Sequence, residues 1–383
     1  MHDFSFKVPQ EIVFGTGRLS SLGELVHSCN SSHVLLISDR GLERLGVVAK
    51  VQEILSRDNV ATDSYLDVLP NPTVEIVEEA AQAYRTSGAN CIVALGGGSP
   101  MDVAKAVAVL ARHGGPITAY EGSSNVPGPV EPIIAIPTTA GTGSEVTPFS
   151  VITDEARSHK LSVFSYEILP AYALLDPHLI MTAPAGIAAA CGIDAMVHAW
   201  ESYTSLAASP FSDAMAEKAL DLIGSNIRRF VANRKDIEAA EAMMAGSTFA
   251  GIAFGWARLG NVHAMSHPVS GFFHVPHGVA NAILLPTIVE YNALADHGRY
   301  KRIYRFIRRT KGQPIENFTA EMLLDETRQL LRELDVPERL SDVGVTADKI
   351  EAMADDAMTS GNILVNPRST TKKDVIALYH KAL

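Results

Sequence analysis

The strongest constraint on the fold is a change in hydrophobic pattern part-way along the chain. Before about residue 180, short runs of apolar and β-branched residues alternate with amphipathic stretches, and most runs end in Gly, Pro, Asn or Ser. This order predicts an α/β domain with a largely parallel sheet. The predicted strands include residues 11–14, 33–38, 64–68, 91–95 and 132–136.

The second part of the chain follows a helical pattern. From about residue 183 the alternating runs nearly vanish, and apolar residues recur at the 3.6-residue spacing of helices. Because the period changes between residues 176 and 184, we predict an α/β domain over residues 1–182 and an all-helical domain over residues 183–383. The predicted helices include residues 187–203, 213–230, 236–254, 262–270 and 281–295.

The charge balance argues against two classes of partner. The chain has 383 residues, 32 of them Lys or Arg and 43 Asp or Glu, for a formal net charge of −11. An acidic chain without a concentrated basic face has no electrostatic reason to bind nucleic acid or an anionic membrane. Residues 301–311 are rich in basic side chains, but Ile303, Tyr304 and Ile307 share one helix face, which is typical of a solvated amphipathic helix. We therefore expect small-molecule partners.

Cysteine usage and the first residues favour a cytoplasmic enzyme. Cys29, Cys91 and Cys191 form no close pair in the sequence, so neither a disulfide framework nor a cysteine-built zinc site is predicted. Residues 1–14 carry charges and a proline where a signal peptide needs an apolar core. No later apolar run reaches the roughly 20 residues of a membrane span.

Two loops rich in glycine and hydroxyl groups predict a nucleotide site. The strand at residues 91–95 leads into GGGSP at 96–100, which opens a helix predicted to begin near Met101. Glycines let the backbone approach a ligand, and the N–H groups of a helix N-terminus attract a pyrophosphate. The strand at residues 132–136 leads into PTTAGTGSE at 137–145, whose hydroxyls suit a ribose and diphosphate. Loops that end consecutive strands are expected at the same edge of the sheet.

Two earlier features also bear on the nucleotide. GTG at residues 15–17 follows the first strand but lacks the third glycine of a GxGxxG fingerprint, so a tight turn explains it as well as a phosphate loop does. Asp39 ends the strand at residues 33–38, where a carboxylate binds a ribose 2′-hydroxyl and repels a 2′-phosphate. This placement favours NAD over NADP, with the adjacent Arg40 acting against that preference.

Five side chains in the helical part predict a metal site. Asp194 and His198 are four residues apart and share one helix face, and His263 and His267 repeat this spacing. His277 follows in a Pro-His-Gly turn that can point its imidazole back toward the second helix. One carboxylate with three or four imidazoles suits iron, zinc, manganese or cobalt, and the spacing does not choose among these metals.

Four segments match a known family in detail: GGGSPMDVAK at 96–105, TTAGTGSE at 138–145, GIDAMVHAWESY at 192–203, and LGNVHAMSHPVSGFFHVPHGVANAILLP at 259–286. On these motifs the chain resembles the iron-containing (group III) alcohol dehydrogenases, which are related to glycerol dehydrogenase and dehydroquinate synthase. The resemblance implies a Rossmann-like parallel-sheet domain, an all-α C-terminal domain, and a cleft that holds NAD(P) and a metal. It also implies a homodimer or larger homo-oligomer.

The resemblance assigns roles residue by residue. It implies metal ligands at Asp194, His198, His263 and His277, with Fe²⁺ as the metal and Zn²⁺ as the alternative. His267, one helical turn beyond a ligand, would face the nicotinamide and substrate as the catalytic residue without binding the metal. The residues implied to contact the cofactor are Asp39, Asn71, Gly97, Gly98, Ser99, Asp102, Thr138, Thr139, Thr142, Ser144 and Lys160.

The chain departs from the common family pattern beside the expected substrate cleft. Phe254, Trp256 and Arg258 lie in a segment where many relatives carry Asn-Ala, and His274 also replaces a more usual residue. We predict that these four side chains line the cleft. Packing of Trp256 in the helical core is an equally good explanation of that indole. The departures leave the identity of the substrate open.

The favoured hypothesis is reversible, NAD-dependent oxidation of a small alcohol, with the metal as Lewis acid and His267 as proton relay. A second hypothesis is another enzyme of the same fold, either a hydroxyacid–oxoacid transhydrogenase or a dehydroquinate-synthase-like lyase. The lyase would need a basic substrate pocket, and Arg258 is the only cationic residue around the metal motifs. A metal-storing protein without activity is the third hypothesis, and the complete set of expected catalytic residues argues against it.

Overall fold

The computed structural model describes residues 10–157 and 159–383, which divide into two compact units. The sheet unit contains the described residues of 10–139 and 144–180, and the helical unit contains residues 140–143 and 181–383. The interpretation of residues 1–9 as lacking a signal-peptide core lies outside the described residues.

The sheet unit is built on a six-stranded parallel sheet with strand order β1-β9-β6-β4-β2-β3. A second sheet, in the order β5-β8-β7, pairs β7 with β8 antiparallel. The strands are β1 Glu11–Phe14, β2 His33–Ile37, β3 Ala61–Tyr65, β4 Cys91–Gly96, β5 Gly122–Ser123, β6 Ile133–Pro137, β7 Phe149–Asp154, β8 His159–Phe164 and β9 Tyr172–Leu175. The α-helices are α1 Leu22–Ser28, α2 Arg40–Arg44, α3 Val47–Arg57, α4 Val74–Ser87, α5 Gly98–His113 and α6 Pro177–Ile180.

The central strands are buried on both faces, as a parallel sheet covered by helices requires. Every residue of β4 and β6 is buried, and alternate side chains enter two different apolar clusters. Ile92 and Ala94 pack in one cluster with α4 and α5, whereas Val93 and Leu95 pack in the other with α1 and α3. The predicted α/β fold with a parallel sheet is confirmed.

Three details of the sheet unit differ from the sequence prediction. The strand predicted at 64–68 is β3 at Ala61–Tyr65, because its register pairs His33 with Ala61 and Ile37 with Tyr65; the chain has left the sheet where Leu66 and Val68 become buried. Helix α5 begins at Gly98 rather than near Met101, so the glycine loop already forms its first turn. The antiparallel pair β7 and β8 was not predicted, because it interrupts the alternation of strands and helices.

The GTG segment at residues 15–17 forms a turn held by a carboxylate. The backbone N–H of Gly17 donates to Asp176 Oδ1 at 3.1 Å, and that of Leu19 donates to Asp176 Oδ2 at 3.1 Å. Asp176 is 1% exposed, so the turn N–H groups satisfy a buried acidic side chain of the same unit. These two N–H groups are therefore already engaged.

The helical unit contains nine α-helices among its described residues. They are α7 Ala185–Thr204, α8 Pro210–Ala232, α9 Ile237–Ala257, α10 Asn261–Phe273, α11 His277–Asn292, α12 Arg299–Ile307, α13 Ala320–Glu333, α14 Ile350–Thr359 and α15 Lys372–Ala382. Within the described ranges, no helix combines the length and apolar character needed to cross a membrane.

Helix α12 carries the basic stretch noted in the sequence. Ile303 and Ile307 are buried, and Tyr304 is half-buried. Arg302 pairs with Glu217 at 2.8 Å, and nearby Arg309 pairs with Glu333 at 2.8 Å. These two arginines are thus neutralised by carboxylates of the same unit.

Candidate metal centre and cofactor loops

Three imidazoles of the helical unit converge on one carboxylate oxygen. Asp194 Oδ1 lies 3.6 Å from His198 Nε2, 3.5 Å from His263 Nε2 and 3.7 Å from His277 Nε2. The ligand atoms of Asp194, His263 and His277 all lie within 4.8 Å of one another. A tetrahedral ion with ligands near 2.1 Å separates its ligand atoms by about 3.4 Å. The cluster therefore has the size and the nitrogen and oxygen donors that a divalent metal needs.

Helical spacing explains how the cluster forms. Asp194 and His198 occupy successive turns of α7, and both are buried. His263 lies in the first turn of α10, and His277 begins α11 directly after Pro276. Three helices thus supply the four side chains.

A backbone contact sets the tautomer of His198. Its Nδ1 lies 3.2 Å from the carbonyl oxygen of Gly141, which can only accept a hydrogen bond. Nδ1 therefore carries the proton, and Nε2 keeps its lone pair toward Asp194. Phe254 stacks on the same ring, with centroids 4.4 Å apart and an angle of 29° between the planes. The ring is held by both contacts.

Asn281 fills the space among the ligands. Its Nδ2 donates to Asp194 Oδ1 at 2.7 Å, and it lies 3.1 Å from His263 Nε2 and 3.2 Å from His277 Nε2. Its Oδ1 is buried and has no hydrogen-bond partner among the described residues. The amide nitrogen of Asn281 thus faces three atoms that carry lone pairs when the imidazoles are neutral, as the ligands of a cation do.

Burial and mutual contacts shift the pKa values of the cluster. Burial lowers the pKa of His198 to about 4, which favours the neutral imidazole that a metal requires. Burial acts to lower the pKa of His263 as well, but its contacts with Asp194 and Glu201 outweigh burial and raise it to about 9. Burial acts to raise the pKa of Asp194, but the neighbouring imidazoles, led by His198, hold it well below its ordinary value.

His267 lies next to the cluster but outside it. Its ring stacks on that of His277, with centroids 5.1 Å apart, and meets the ring of His263 edge-on at 6.1 Å. Unlike the ligands at positions 194, 198 and 263, His267 is exposed. The ring of His267 is therefore accessible to solvent.

The four residues predicted to line the substrate cleft differ in exposure. Phe254 and Trp256 are half-buried near the end of α9. Arg258 and His274 are exposed, and each terminates a helix with a left-handed φ, of 60° and 56°. Phe254 is the one of the four with a described contact to a predicted metal ligand.

In the sheet unit, the glycine loop lies beside the start of the threonine loop. Gly96 at the end of β4 is in register with Pro137 at the end of β6, so the two following loops leave the same edge of the sheet. A Cβ atom on Gly97 would lie 3.3 Å from Thr139 Oγ1. Gly98, Ser99 and Pro100 form the first turn of α5. This first turn contains no acidic side chain. The arrangement suits a diphosphate.

A buried lysine ties the second loop to α5. Lys105 Nζ donates to the carbonyl oxygens of Ser144, Thr147 and Phe149 at 2.7–2.8 Å. Ser144 Oγ accepts from Lys105 at 3.0 Å and lies 3.2 Å from Asp102 Oδ1. Burial lowers the pKa of Lys105 to about 8 and raises that of Asp102 to about 6. Ser144 thus contacts both Asp102 and Lys105.

The other predicted cofactor residues occupy four places. Asp39 accepts from the N–H of Leu42 at 2.9 Å as the N-cap of α2. Asn71, with φ 55°, accepts from Lys160 Nζ at 2.6 Å, and burial lowers the pKa of that amine. Thr138 is buried at the end of β6, and Thr142 belongs to the segment 140–143 of the helical unit.

Comparison with known proteins decides the family. The pattern described as iron-containing alcohol dehydrogenase matches residues 9–177, and that of the C-terminal part of the Fe-containing alcohol dehydrogenase family matches residues 188–383. The chain belongs to the iron-containing alcohol dehydrogenase family. The resemblance inferred from its motifs is confirmed.

Individual members of the family match along their whole length. Lactaldehyde reductase of Escherichia coli (strain K12) is 38% identical over 379 residues, which cover 96% of this chain and 97% of that protein. NAD-dependent methanol dehydrogenase of Bacillus methanolicus is 33% identical over 379 residues, with 99% and 100% coverage. A crystal structure of 1,3-propanediol oxidoreductase matches with a TM-score of 0.96 at 35% identity and 100% coverage of both chains. This iron-containing alcohol dehydrogenase homologue is therefore an oxidoreductase that acts on CH–OH groups.

Three residues that contact the predicted site of this family member were not singled out from the sequence. Glu201 follows Asp194 by seven positions and His198 by three, so the helical period places it on their face of α7. Asn281 follows His277 by four positions on α11. Lys105 follows Asp102 by three positions on α5. Counting three, four or seven residues onward from each predicted site residue would have placed all three on the same helix faces.

Proposed function

We propose that this enzyme catalyses the reversible, NAD-linked oxidation of a small alcohol to its aldehyde, with Asp194, His198, His263 and His277 as ligands of one Fe²⁺ ion. The observation that carries the proposal is the convergence of three Nε2 atoms on Asp194 Oδ1 at 3.5–3.7 Å. A divalent ion bound there supplies a Lewis acid, which lowers the pKa of an alcohol hydroxyl toward neutrality. The donor set suits Zn²⁺ as well, and metal analysis distinguishes the two.

His267 is the proposed proton relay. It is exposed, and its ring stacks on that of His277, so a proton leaving an alcohol at the cluster has an imidazole beside it and solvent beyond it. Imidazole accepts and releases protons near neutral pH. His267 is not one of the proposed metal ligands, so metal coordination would not prevent its ring from taking up a proton.

The glycine and threonine loops are the proposed binding site for the cofactor, whose nicotinamide accepts the hydride. The first turn of α5 at Gly98 and Ser99 would hold the diphosphate through backbone N–H groups. Gly97 leaves the space beside Thr139 that a side chain would fill. Lys105 holds the backbone from Ser144 to Phe149 in one conformation, so the second loop is formed before the cofactor binds.

Asp39 supports NAD as the cofactor. Asp39 follows the end of β2 by two residues. Its carboxylate would accept a hydrogen bond from a ribose 2′-hydroxyl, whereas its negative charge would repel a 2′-phosphate. Arg40, which could neutralise such a phosphate, instead bonds Asp67 at 2.8 Å and 3.1 Å and Glu43 at 3.0 Å. The charge of Arg40 is thus already paired with two carboxylates. The NAD-dependent relative from B. methanolicus supports the same choice.

The test is a substrate screen with the iron-loaded enzyme. The protein is purified without oxygen, its metal is measured, and small primary alcohols, secondary alcohols and diols are offered with NAD⁺ or NADP⁺. We expect steady NADH formation with at least one small alcohol and aldehyde reduction in the reverse direction. Turnover that requires a second oxoacid, with no net NADH formed, would instead indicate a transhydrogenase. The cytoplasmic location and the homo-oligomeric state stay predictions from the sequence.

A further inference from the structure

A second buried carboxylate lies behind the metal cluster. Glu201 is 4% exposed and is carried by α7, the helix that also carries Asp194 and His198. Its Oε2 lies 2.6 Å from His263 Nδ1, and its Oε1 accepts from the N–H of Val262 at 2.6 Å. The N–H of His263 also points at Oε2, at 3.3 Å. All these contacts lie inside the helical unit.

These contacts select one tautomer of His263. An ionised carboxylate only accepts hydrogen bonds, so the proton of the ring lies on Nδ1. In the neutral ring, which is the form that binds a metal, the opposite nitrogen Nε2 then has a lone pair, and it lies 3.5 Å from Asp194 Oδ1 and 3.1 Å from the amide nitrogen of Asn281. The Asn281 amide nitrogen is a donor within hydrogen-bond distance of the same ring nitrogen, which agrees with a lone pair there. His263 thus presents the nitrogen that a metal ligand needs.

We propose that Glu201 is a positioning residue for the metal: it holds His263 in the Nδ1–H tautomer, fixes the ring toward Asp194, and makes Nε2 a stronger donor. A carboxylate behind a metal-bound imidazole raises the basicity of the ligand and restricts its rotation. The same helix thereby contributes two ligands and the support of a third. This inference rests on the metal site proposed above and adds a residue to it.

A purely structural role for Glu201 predicts a different behaviour. Gly260, the residue before α10, has no side chain to cap the helix, and Glu201 accepts from two of its first N–H groups. The N–H of Asn261 is accepted by Asn366 Oδ1 at 3.2 Å. If capping were the whole role, removing the charge would lower the stability of the protein and leave the affinity of the metal unchanged.

Glu201→Gln separates the two roles. Glutamine keeps one oxygen for the N–H of Val262, but it places an NH₂ group where the carboxylate received His263 Nδ1–H. That NH₂ group favours a proton on Nε2, which is the wrong tautomer for binding the metal. Glu217→Gln is the matched control, because Glu217 also neighbours α7, through the hydroxyl of Tyr203 at 2.5 Å, but it has no contact with a proposed ligand among the described residues.

The experiment measures affinity for Co²⁺ and Zn²⁺ by chelator competition, together with the absorption spectrum of the cobalt-loaded protein. We expect Glu201→Gln to lose roughly 10- to 100-fold in affinity and to change the cobalt spectrum, while Glu217→Gln keeps both. Native affinity and an unchanged spectrum in Glu201→Gln would overturn the proposal. Failure of the unmodified chain to bind one ion would contradict the metal site itself, which is a separate result.

A measurement on the unmodified protein covers the case in which Glu201→Gln does not fold. Nitrogen NMR of histidine-labelled, zinc-loaded protein reports which ring nitrogen carries the proton, with His263 assigned through His263→Gln. We expect a proton on Nδ1 of His263 and zinc on Nε2. Zinc on Nδ1, or a ring signal without a hydrogen-bonded Nδ1 proton, would overturn the proposal.

Discussion

Gly278 and Ala190 bring the backbones of α11 and α7 into direct contact. A Cβ atom on Gly278 would overlap the carbonyl oxygen of Ala190 and lie 2.7 Å from its carbonyl carbon. Gly278 directly follows the proposed ligand His277, and Ala190 precedes Asp194 by one helical turn. The absence of a side chain at position 278 therefore sets the distance between two proposed metal ligands.

Gly278→Ala should weaken metal binding. The added methyl group must push α11 away from α7, which moves His277 relative to Asp194. We expect a loss of roughly 10-fold or more in Zn²⁺ affinity, measured by chelator competition. Gly186→Ala is the control, because a Cβ on Gly186 of α7 meets nothing within 4 Å. Unchanged affinity in Gly278→Ala would mean that the metal does not bridge α7 and α11.

Asp39→Ser should weaken the preference for NAD⁺. Serine keeps an oxygen that can accept from the N–H of Leu42 and cap α2, but it removes the negative charge that would oppose a 2′-phosphate. We expect the ratio of kcat/KM for NAD⁺ over NADP⁺ to fall by about 10-fold or more, with a free-energy change of roughly 1–2 kcal/mol. Asp63→Ser, which removes an exposed carboxylate from β3, should leave the ratio as it is. Equal ratios in native protein and Asp39→Ser would refute the role of Asp39.

The stability contributed by Lys105 should increase at high pH. Its pKa is about 8 in the folded protein, below the ordinary 10.5, so between these values the unfolded chain binds a proton that the folded chain has released. The free energy of unfolding therefore rises with pH in this window, by about 1 kcal/mol per pH unit. Lys105→Met lacks this titration. Between pH 8 and pH 9.5, the free energy of unfolding measured with urea should rise more for native protein than for Lys105→Met. A difference between the two proteins that is the same at both pH values would show that Lys105 titrates normally.

His267→Ala should separate turnover from metal content. The variant loses the imidazole that stacks on His277 but keeps the cluster of Asp194 and three imidazoles. We expect metal content to stay at the native value while kcat falls roughly 10²-fold or more. Native turnover with native metal content would exclude a proton relay at this position. Loss of metal would instead indicate that His267 supports His277.

Local spacing predicted much of the fold and of the site. The i, i+4 pairs Asp194/His198 and His263/His267 indicated shared helix faces, and the apolar runs ending at glycine indicated parallel strands. Spacing could not predict contacts between distant segments. Glu201 reaches His263 across 62 positions, and Lys105 reaches Phe149 across 44, so only the packed helices and loops reveal these pairs. The hairpin of β7 and β8 was missed for a different reason, because it interrupts the alternation of strands and helices on which the prediction was based.

The central claim is that one divalent metal at Asp194, His198, His263 and His277 makes this chain an NAD-linked alcohol dehydrogenase. The most direct test measures metal content and alcohol-dependent NADH formation together, for native protein and Asp194→Ala purified without oxygen, with Asp213→Ala as the control on α8. We predict one ion per chain and turnover in native protein and Asp213→Ala, and neither in Asp194→Ala. An Asp194→Ala protein that keeps one ion per chain and native turnover would contradict the account.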